Sequence, residues 1–277
     1  MTVQAPANTG DDKVVLRHVI KTYVDKKRAR DTHAVEDFSL AIPAGEFVCI
    51  LGPSGCGKST VLNMVAGFEK ATSGTIEIDG AAVVGPSSER GMVFQRPTLF
   101  PWLSVIDNIT FGPRMAGVDE KSYSVAAQRY VDLMGLAGFE NHYPYELSGG
   151  MQQRVALART WITEPRLILM DEPFGALDAQ TRLLMQELLL QVWERLRTTV
   201  LFITHDIDEA LFLADRIVVM SSRPGRLKED IAVSLARPRQ YESIIHDPRY
   251  IETKQHILHL IRSESTQRAG AAISSEH

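Results

Sequence analysis

The segment Gly52-Pro-Ser-Gly-Cys-Gly-Lys-Ser59 constrains this chain more than any other. It satisfies G-x-x-x-x-G-K-[ST] at every required position. Before it stands a short apolar run, Glu46 to Leu51 (EFVCIL), which reads as a buried strand. After it, from Ser59, Leu62, Val65 and Ala66 fall on one face of a helical pattern. A strand that ends in glycines and re-enters as a helix does one thing well. Its backbone N–H groups curl around phosphate oxygens, and the positive end of the helix dipole points at them. Gly52, Pro53, Ser54, Gly55, Cys56 and Gly57 form the cradle. Lys58 neutralises the β- and γ-phosphates, Ser59 offers a hydroxyl to Mg²⁺, and Thr60 adds a second hydroxyl near the α- or β-phosphate. An incidental glycine turn with a stray lysine is the poorer reading, because it explains neither the strand before nor the helix after. Cys56 reads as an ordinary loop residue; the alternative is a thiol that makes the loop sensitive to thiol reagents.

A second apolar run, Leu167-Ile-Leu-Met170, delivers Asp171 and Glu172 to the C-terminal end of a buried strand. In parallel α/β sheets ligands gather at that end. Asp171 is expected to hold Mg²⁺ opposite Ser59, and Glu172 to act as general base on an attacking water. His205 follows a third such run, Val200 to Thr204, and precedes a helix starting near Ile207; from there its imidazole could reach a γ-phosphate as a hydrogen-bond donor, the alternative being a packing or capping histidine. Gln95 ends a short strand, Met92 to Phe94, where a side-chain amide could touch Mg²⁺ or the water; by itself the residue carries no argument.

Leu147-Ser-Gly-Gly-Met-Gln-Gln-Arg-Val-Ala-Leu-Ala-Arg159 reads as a second anion site, the alternative being an ordinary capped helix. Ser148 is a good N-cap, and Gly149 and Gly150 leave the helix N-terminus uncluttered. A single nucleotide cannot need both helix ends in one place. Two copies arranged head to tail resolve this, each nucleotide lying between one chain's loop and the other's capped helix.

With these motifs in this order the sequence resembles the ABC transporter ATPases over about residues 13–225. The resemblance implies a glutamine loop at Gln95, a signature at 147–151, and a dimer-facing loop at Ala176-Leu177-Asp178. It makes His205 the switch histidine and Tyr23 the aromatic that stacks on adenine. Asp178 has a second, compatible role as N-cap of a helix over Thr181 to Arg197. Met151 departs from the glutamine of many members, but the serine and paired glycines that meet phosphate remain, so activity is expected to survive. Glu89 to Trp102, Asp171 to Asp178 and Ser221-Ser-Arg-Pro-Gly-Arg226 look like the nitrate/sulfonate/taurine importer branch. That branch implies ATP and Mg²⁺ as cofactors, a homodimer, integral membrane permease subunits and, indirectly, an extracytoplasmic substrate-binding protein. Phe100, Pro101 and Trp102 are either core residues or, if Trp102 is exposed, an anchor for the permease. The 221–226 turn yields no mechanism.

The implied fold is α/β: a phosphate-loop, RecA-like parallel sheet, an antiparallel β subdomain, and a helical subdomain at about 97–160 inserted in the core. Elsewhere Thr75 to Ile78 alternates as a strand before an Asp79-Gly80 turn, and Ile217 to Met220 adds another. Leu184, Leu188, Val192 and Leu196 make a helical stripe with Met185, Leu189 and Trp193 beside it. Residues 1–12 and the end from about Ser263 read as disordered. Residues 226–277 form an extension, with Ile251, Ile257, Leu258 and Ile261 as an apolar face.

Composition narrows the partners. A formal charge of −4 offers no footprint for nucleic acid. Two cysteines, Cys49 and Cys56, make no disulfide framework and suit a reducing compartment. The N-terminus lacks the pattern of a secretory signal, and nowhere do about 18 apolar residues run together. The expected location is peripheral, on the cytoplasmic face of the inner membrane. The rival readings are weaker. A DNA-repair or chromosome-handling ABC-type ATPase usually carries heptads or a cysteine cluster, and a GTPase needs an Asn-Lys-x-Asp motif; none is present, and Glu172 and His205 argue against a regulator that binds nucleotide without hydrolysis.

Overall fold

A computed structural model describes residues 12–25 and 30–274. The disordered N-terminus expected over 1–12 lies, apart from Asp12, outside the described residues, as do residues 275–277. In chain order the elements are β1 (Asp12–Asp25), β2 (Arg30–Pro43), β3 (Phe47–Leu51), α1 (Lys58–Ala66), β4 (Ser73–Ile78), β5 (Ala81–Ala82), β6 (Arg90–Val93), α2 (Val105–Met115), α3 (Glu120–Leu133), α4 (Gly149–Trp161), β7 (Leu167–Asp171), α5 (Ala179–Leu196), β8 (Thr199–Thr204), α6 (Ile207–Leu213), β9 (Arg216–Met220), β10 (Leu227–Ala232), α7 (Tyr241–Ile244) and α8 (Pro248–Ser274). A 3₁₀ turn, Pro144–Glu146, precedes α4. The chain forms two compact units. One runs up to Pro86 and resumes at Thr199; the other is Ser87–Thr198.

In the first unit β3 lies between β8 and β9 and runs parallel to both. The antiparallel strand β10 closes that edge. All of Phe47–Leu51 and Thr199–Thr204 is buried, which is why both strands read as unbroken apolar runs rather than alternating ones. Burying each large side chain here, Phe202 or Ile50 for example, contributes about 1.5–3 kcal/mol. A separate antiparallel sheet has the order β2-β1-β4-β5. The Asp79-Gly80 turn between β4 and β5 has both residues at positive φ, 51° and 73°, as a tight hairpin demands.

The C-terminal residues extend this unit. Tyr250 and Ile257 of α8 are buried, and the Tyr250 hydroxyl donates to the Asp208 carboxylate in α6. Arg239 donates to the carbonyls of Leu211, Phe212 and Ala214 at 3.1, 3.0 and 2.8 Å, closing the C-terminal end of α6. Two expectations for this region change. Ile251 is exposed, so the apolar face centres on Tyr250 and Ile257 instead. The end read as disordered from Ser263 continues as α8 through Ser274, because that stretch holds no proline and its one strong breaker is Gly270.

In the second unit β6 and β7 pair in parallel, and α2, α3 and α4 pack together. Helix α5 buries Met185, Leu189, Val192 and Trp193. The predicted stripe is therefore rotated: Leu184 is 50% exposed and Leu188 half-buried, on the shoulder of the buried face. With apolar residues on both edges of the stripe, the sequence pattern could not say which edge faces inward.

Candidate nucleotide site

The predicted residues fall into two groups, one in each unit. In the first, Leu51 at the end of β3 pairs with Thr204 at the end of β8, so Gly52 and His205 leave adjacent parallel strands at the same level. From Gly52 the chain folds into a tight loop. Gly55 and Gly57 have φ of 76° and 107°, and a β-carbon on Gly57 would stand 2.7 Å from the Ala34 carbonyl oxygen. Only glycine fits there. The N-terminus of α1 receives no side-chain cap from Gly57 and has no acidic residue in its first turn, which leaves the positive end of the helix without a countercharge of its own turn. The buried Lys58 ammonium donates to the carbonyls of Gly52 and Pro53 at 2.9 and 3.2 Å. The Cys56 N–H points to the same Pro53 oxygen at 3.3 Å. Two donors converging on one oxygen, beside an uncapped helix end, are chemistry that fits a polyphosphate. Ser59 is exposed at the start of α1.

Tyr23 lies on β1 beside this helix. Its hydroxyl donates to Glu69 at 2.6 Å and sits 3.4 Å from Thr60 Oγ1, while the Lys21 ammonium lies 5.0 Å from its ring centre. Partial burial, then the bond to Glu69, raise the phenol above its ordinary pKa. Tyr23 is 40% exposed as a residue, which leaves room for a planar partner. Glu69 gave no signal in the sequence, because a lone surface glutamate near a helix end is unremarkable.

The 221–226 turn joins β9 to β10 and packs on the phosphate loop. Gly225 donates to the Ala34 carbonyl and accepts from the Glu36 N–H, at 3.0 and 2.9 Å, and Arg223 Nε donates to the Gly55 carbonyl at 3.3 Å. The sequence singled out this turn, but the partner it serves is 168 residues away in the chain.

In the second unit Val93 pairs with Met170, so Gln95 and the Asp171–Glu172 pair leave β6 and β7 at the same edge. Gln95 and Glu172 flank Gly175: a β-carbon there would stand 3.2 Å from Gln95 Nε2 and 3.8 Å from Glu172 Oε2. Glu172 has φ of 44°, a left-handed conformation that a non-glycine residue adopts at a cost of about 1–3 kcal/mol. Ser148 caps α4, accepting from the Met151 N–H at 3.3 Å, and Asp178 caps α5, accepting from the Thr181 N–H at 3.0 Å. The two helix starts are adjacent. A β-carbon on Gly149 would meet Leu177 at 3.7 Å, and one on Gly150 would meet Thr181 at 2.7 Å.

The sequence model of the ABC transporter family matches residues 35–175, which include the phosphate loop, the Ser148–Gly150 segment and the Asp171–Glu172 pair. The chain belongs to the ABC transporter ATP-binding proteins. Within that family it is 44% identical over 247 residues to the nitrate import ATP-binding protein NrtD of Synechocystis sp., covering 87% of this chain and 92% of that one. It is 46% identical over 240 residues to the taurine import ATP-binding protein TauB of Jannaschia sp., covering 86% and 90%. Among solved structures, the post-hydrolysis dimer of the ATP-binding cassette MJ0796, bound to ADP and Pi, matches with a TM-score of 0.70 at 32% identity, over 80% of this chain and all of that one. The chain is thus an ABC ATPase with the α/β fold of the phosphate-loop class. Among the described residues no helix is long and apolar enough to cross a membrane.

Proposed function

We propose that this ABC ATPase drives import of a small anion such as nitrate, a sulfonate or taurine, working as a head-to-tail pair beneath separate membrane subunits. The observation that carries the pair is the presence of two glycine-flanked helix starts, α1 and α4, in one chain. The first is uncapped; the second carries Ser148 ahead of two glycines. Each suits an anion, and one ATP has a single set of phosphates.

In this reading the ATPase domain spans about 13–225, its helical subdomain about 97–160, and residues 226–277 are an extension. ATP lies with its adenine on Tyr23 and its phosphates in the 52–60 loop. Ser148, Gly149, Gly150 and Asp178 of the other copy close over it. Glu172 accepts a proton from the attacking water as the water's oxygen bonds to the γ-phosphorus and ADP leaves. Lys58 and His205 stabilise the charge that develops on the transferred group, and Gln95 orients the water. Ser59, Asp171 and Gln95 are the residues that would hold Mg²⁺, which when bound neutralises the β- and γ-oxygens.

Closure of the pair is passed to the membrane subunit through the Gln95–Trp102 segment. Trp102 is 70% exposed, with its ring 5.6 Å from that of Phe100. Phe100 is itself packed on Phe111 at 4.4 Å, so an exposed tryptophan stands on a fixed base. Such a residue suits an interface anchor. The pair then sits peripherally on the cytoplasmic face of the inner membrane, with an extracytoplasmic binding protein presenting the anion from the other side.

The test is Mg-dependent ATP hydrolysis measured against protein concentration for wild type, Glu172→Gln and Ser148→Arg. Specific activity that rises steeply with concentration and is abolished by either change supports the composite site. Activity independent of concentration and indifferent to Ser148→Arg overturns it.

A further inference from the structure

The 221–226 turn is absorbed by none of the roles above, yet it is built into the phosphate loop. A β-carbon on Gly225 would stand 2.0 Å from the Cys56 carbonyl oxygen and 2.6 Å from Met220 Cε. The turn is also tied to β2: besides the two Gly225 backbone bonds, Arg226 pairs with Glu36 at 2.9 Å. Ser221 Oγ donates to the Pro224 carbonyl at 3.1 Å and accepts from the Arg226 N–H at 3.0 Å, which fixes the turn's own shape. A turn held this firmly presents Arg223 in one place.

That place is the outer side of the Gly55–Cys56 peptide, where Arg223 Nε donates to the Gly55 oxygen. The carbonyl and N–H of a trans peptide point in opposite directions. A guanidinium that holds the Gly55 carbonyl outward therefore keeps the Cys56 N–H turned inward, toward the oxygen it shares with the Lys58 ammonium. Without that hold, the glycine at φ 76° leaves the peptide free to rotate and put a carbonyl where phosphate oxygens belong. The guanidinium also sets a second positive charge beside the loop. Burial pushes the Cys56 thiol up, and the charges of Lys58 and, more weakly, Arg223 pull against it, so the field of Arg223 reaches the loop.

We propose that Arg223 is a positioning residue of the nucleotide site, which holds the Gly55–Cys56 peptide in its phosphate-accepting orientation. It acts on binding of the polyphosphate rather than on the chemical step. The proposal rests on the phosphate loop being the nucleotide site.

The experiment measures ATP and AMP binding, ATPase KM and kcat, and nucleotide-free melting temperature for wild type, Arg223→Lys, Arg223→Gln and Lys58→Ala. For Arg223→Gln the expected result is ATP affinity weaker by about five- to tenfold, the scale of one charged hydrogen bond at an exposed site. KM should rise in step, kcat should change less than about twofold, and AMP binding and melting temperature should hold. Arg223→Lys, which keeps the charge but not the fork, should recover part of the affinity. Unchanged ATP affinity in Arg223→Gln, with Lys58→Ala strongly impaired, overturns the role of Arg223 and leaves the loop's assignment intact. A fall in kcat alone, or equal losses in Lys and Gln variants with a lowered melting temperature, also overturns it. Equal binding by wild type and Lys58→Ala overturns the loop's assignment and this inference with it.

Discussion

A β-carbon added to Gly150 would stand 2.7 Å from Cγ2 of Thr181, so the first turn of α4 and the first turn of α5 approach as closely as a glycine permits. The same two turns carry Ser148 and Asp178 as their caps. Gly150 thus does more than clear space for an anion: it sets the spacing between the two segments that the proposed partner nucleotide meets.

Gly150→Ala should destabilise by about 1–3 kcal/mol through overpacking and lower ATPase activity. Thr181→Ser in the same chain removes Cγ2 while keeping the backbone N–H that Asp178 caps, and should restore much of both. Melting curves and ATPase rates of the single and double variants check this. If the double variant is no better than Gly150→Ala, the contact is not what demands glycine.

Asp178 contributes at the same junction through pH. The hydrogen bonds from Thr181 hold its carboxyl below the ordinary aspartate range. A depressed folded pKa means the stabilisation is present above the unfolded value and is lost as pH falls through the folded one. Melting temperature of wild type should therefore fall more than that of Asp178→Asn as pH is lowered below the ordinary aspartate pKa, and the two should run parallel near neutrality. A constant difference across that range would contradict the cap's ionised form.

Tyr23 separates stacking from hydrogen bonding. Tyr23→Phe loses the bond to Glu69 but keeps the ring, and should leave the KM for ATP within about twofold. Tyr23→Ala should raise KM about tenfold, since an aromatic stack on a base is worth about 1–3 kcal/mol. Equal effects of the two changes would show that the hydroxyl, not the ring, matters.

For Trp102→Ala the expected outcome is an isolated chain with unchanged melting temperature and ATPase rate. The loss should appear in co-purification with its membrane subunit, by about 2 kcal/mol or more for a central anchor. A lowered melting temperature would instead return Trp102 to the chain's own packing.

Much of this was legible in the sequence because the strands that carry the proposed residues are buried on both faces. Phe47–Leu51, Leu167–Met170 and Val200–Thr204 declare themselves as apolar runs, and each is followed at once by a residue of the proposed site: Gly52, Asp171 and His205. The caps Ser148 and Asp178 were legible for the same local reason. The long strands β1 and β2 were not, because repeated register shifts, as between Leu16 and Val19 and between Val19 and Lys21, break the alternation that marks a strand. Strand β10, Leu-Lys-Glu-Asp-Ile-Ala, is a half-exposed edge whose charges hide it. The packing of Gly225 on Cys56 and of Gly150 on Thr181 depends on tertiary approach, which no local pattern encodes.

Closure of two chains on ATP can be caught in Glu172→Gln. Removing the proposed general base should slow hydrolysis on the order of a thousandfold, about 4 kcal/mol of barrier, without preventing binding. The closed pair should then persist long enough to weigh by sedimentation. The expected masses are a monomer without nucleotide, a dimer with ATP, and a monomer again when Ser148→Arg is added. A mass that ATP does not change, in a variant that still binds ATP, would contradict it.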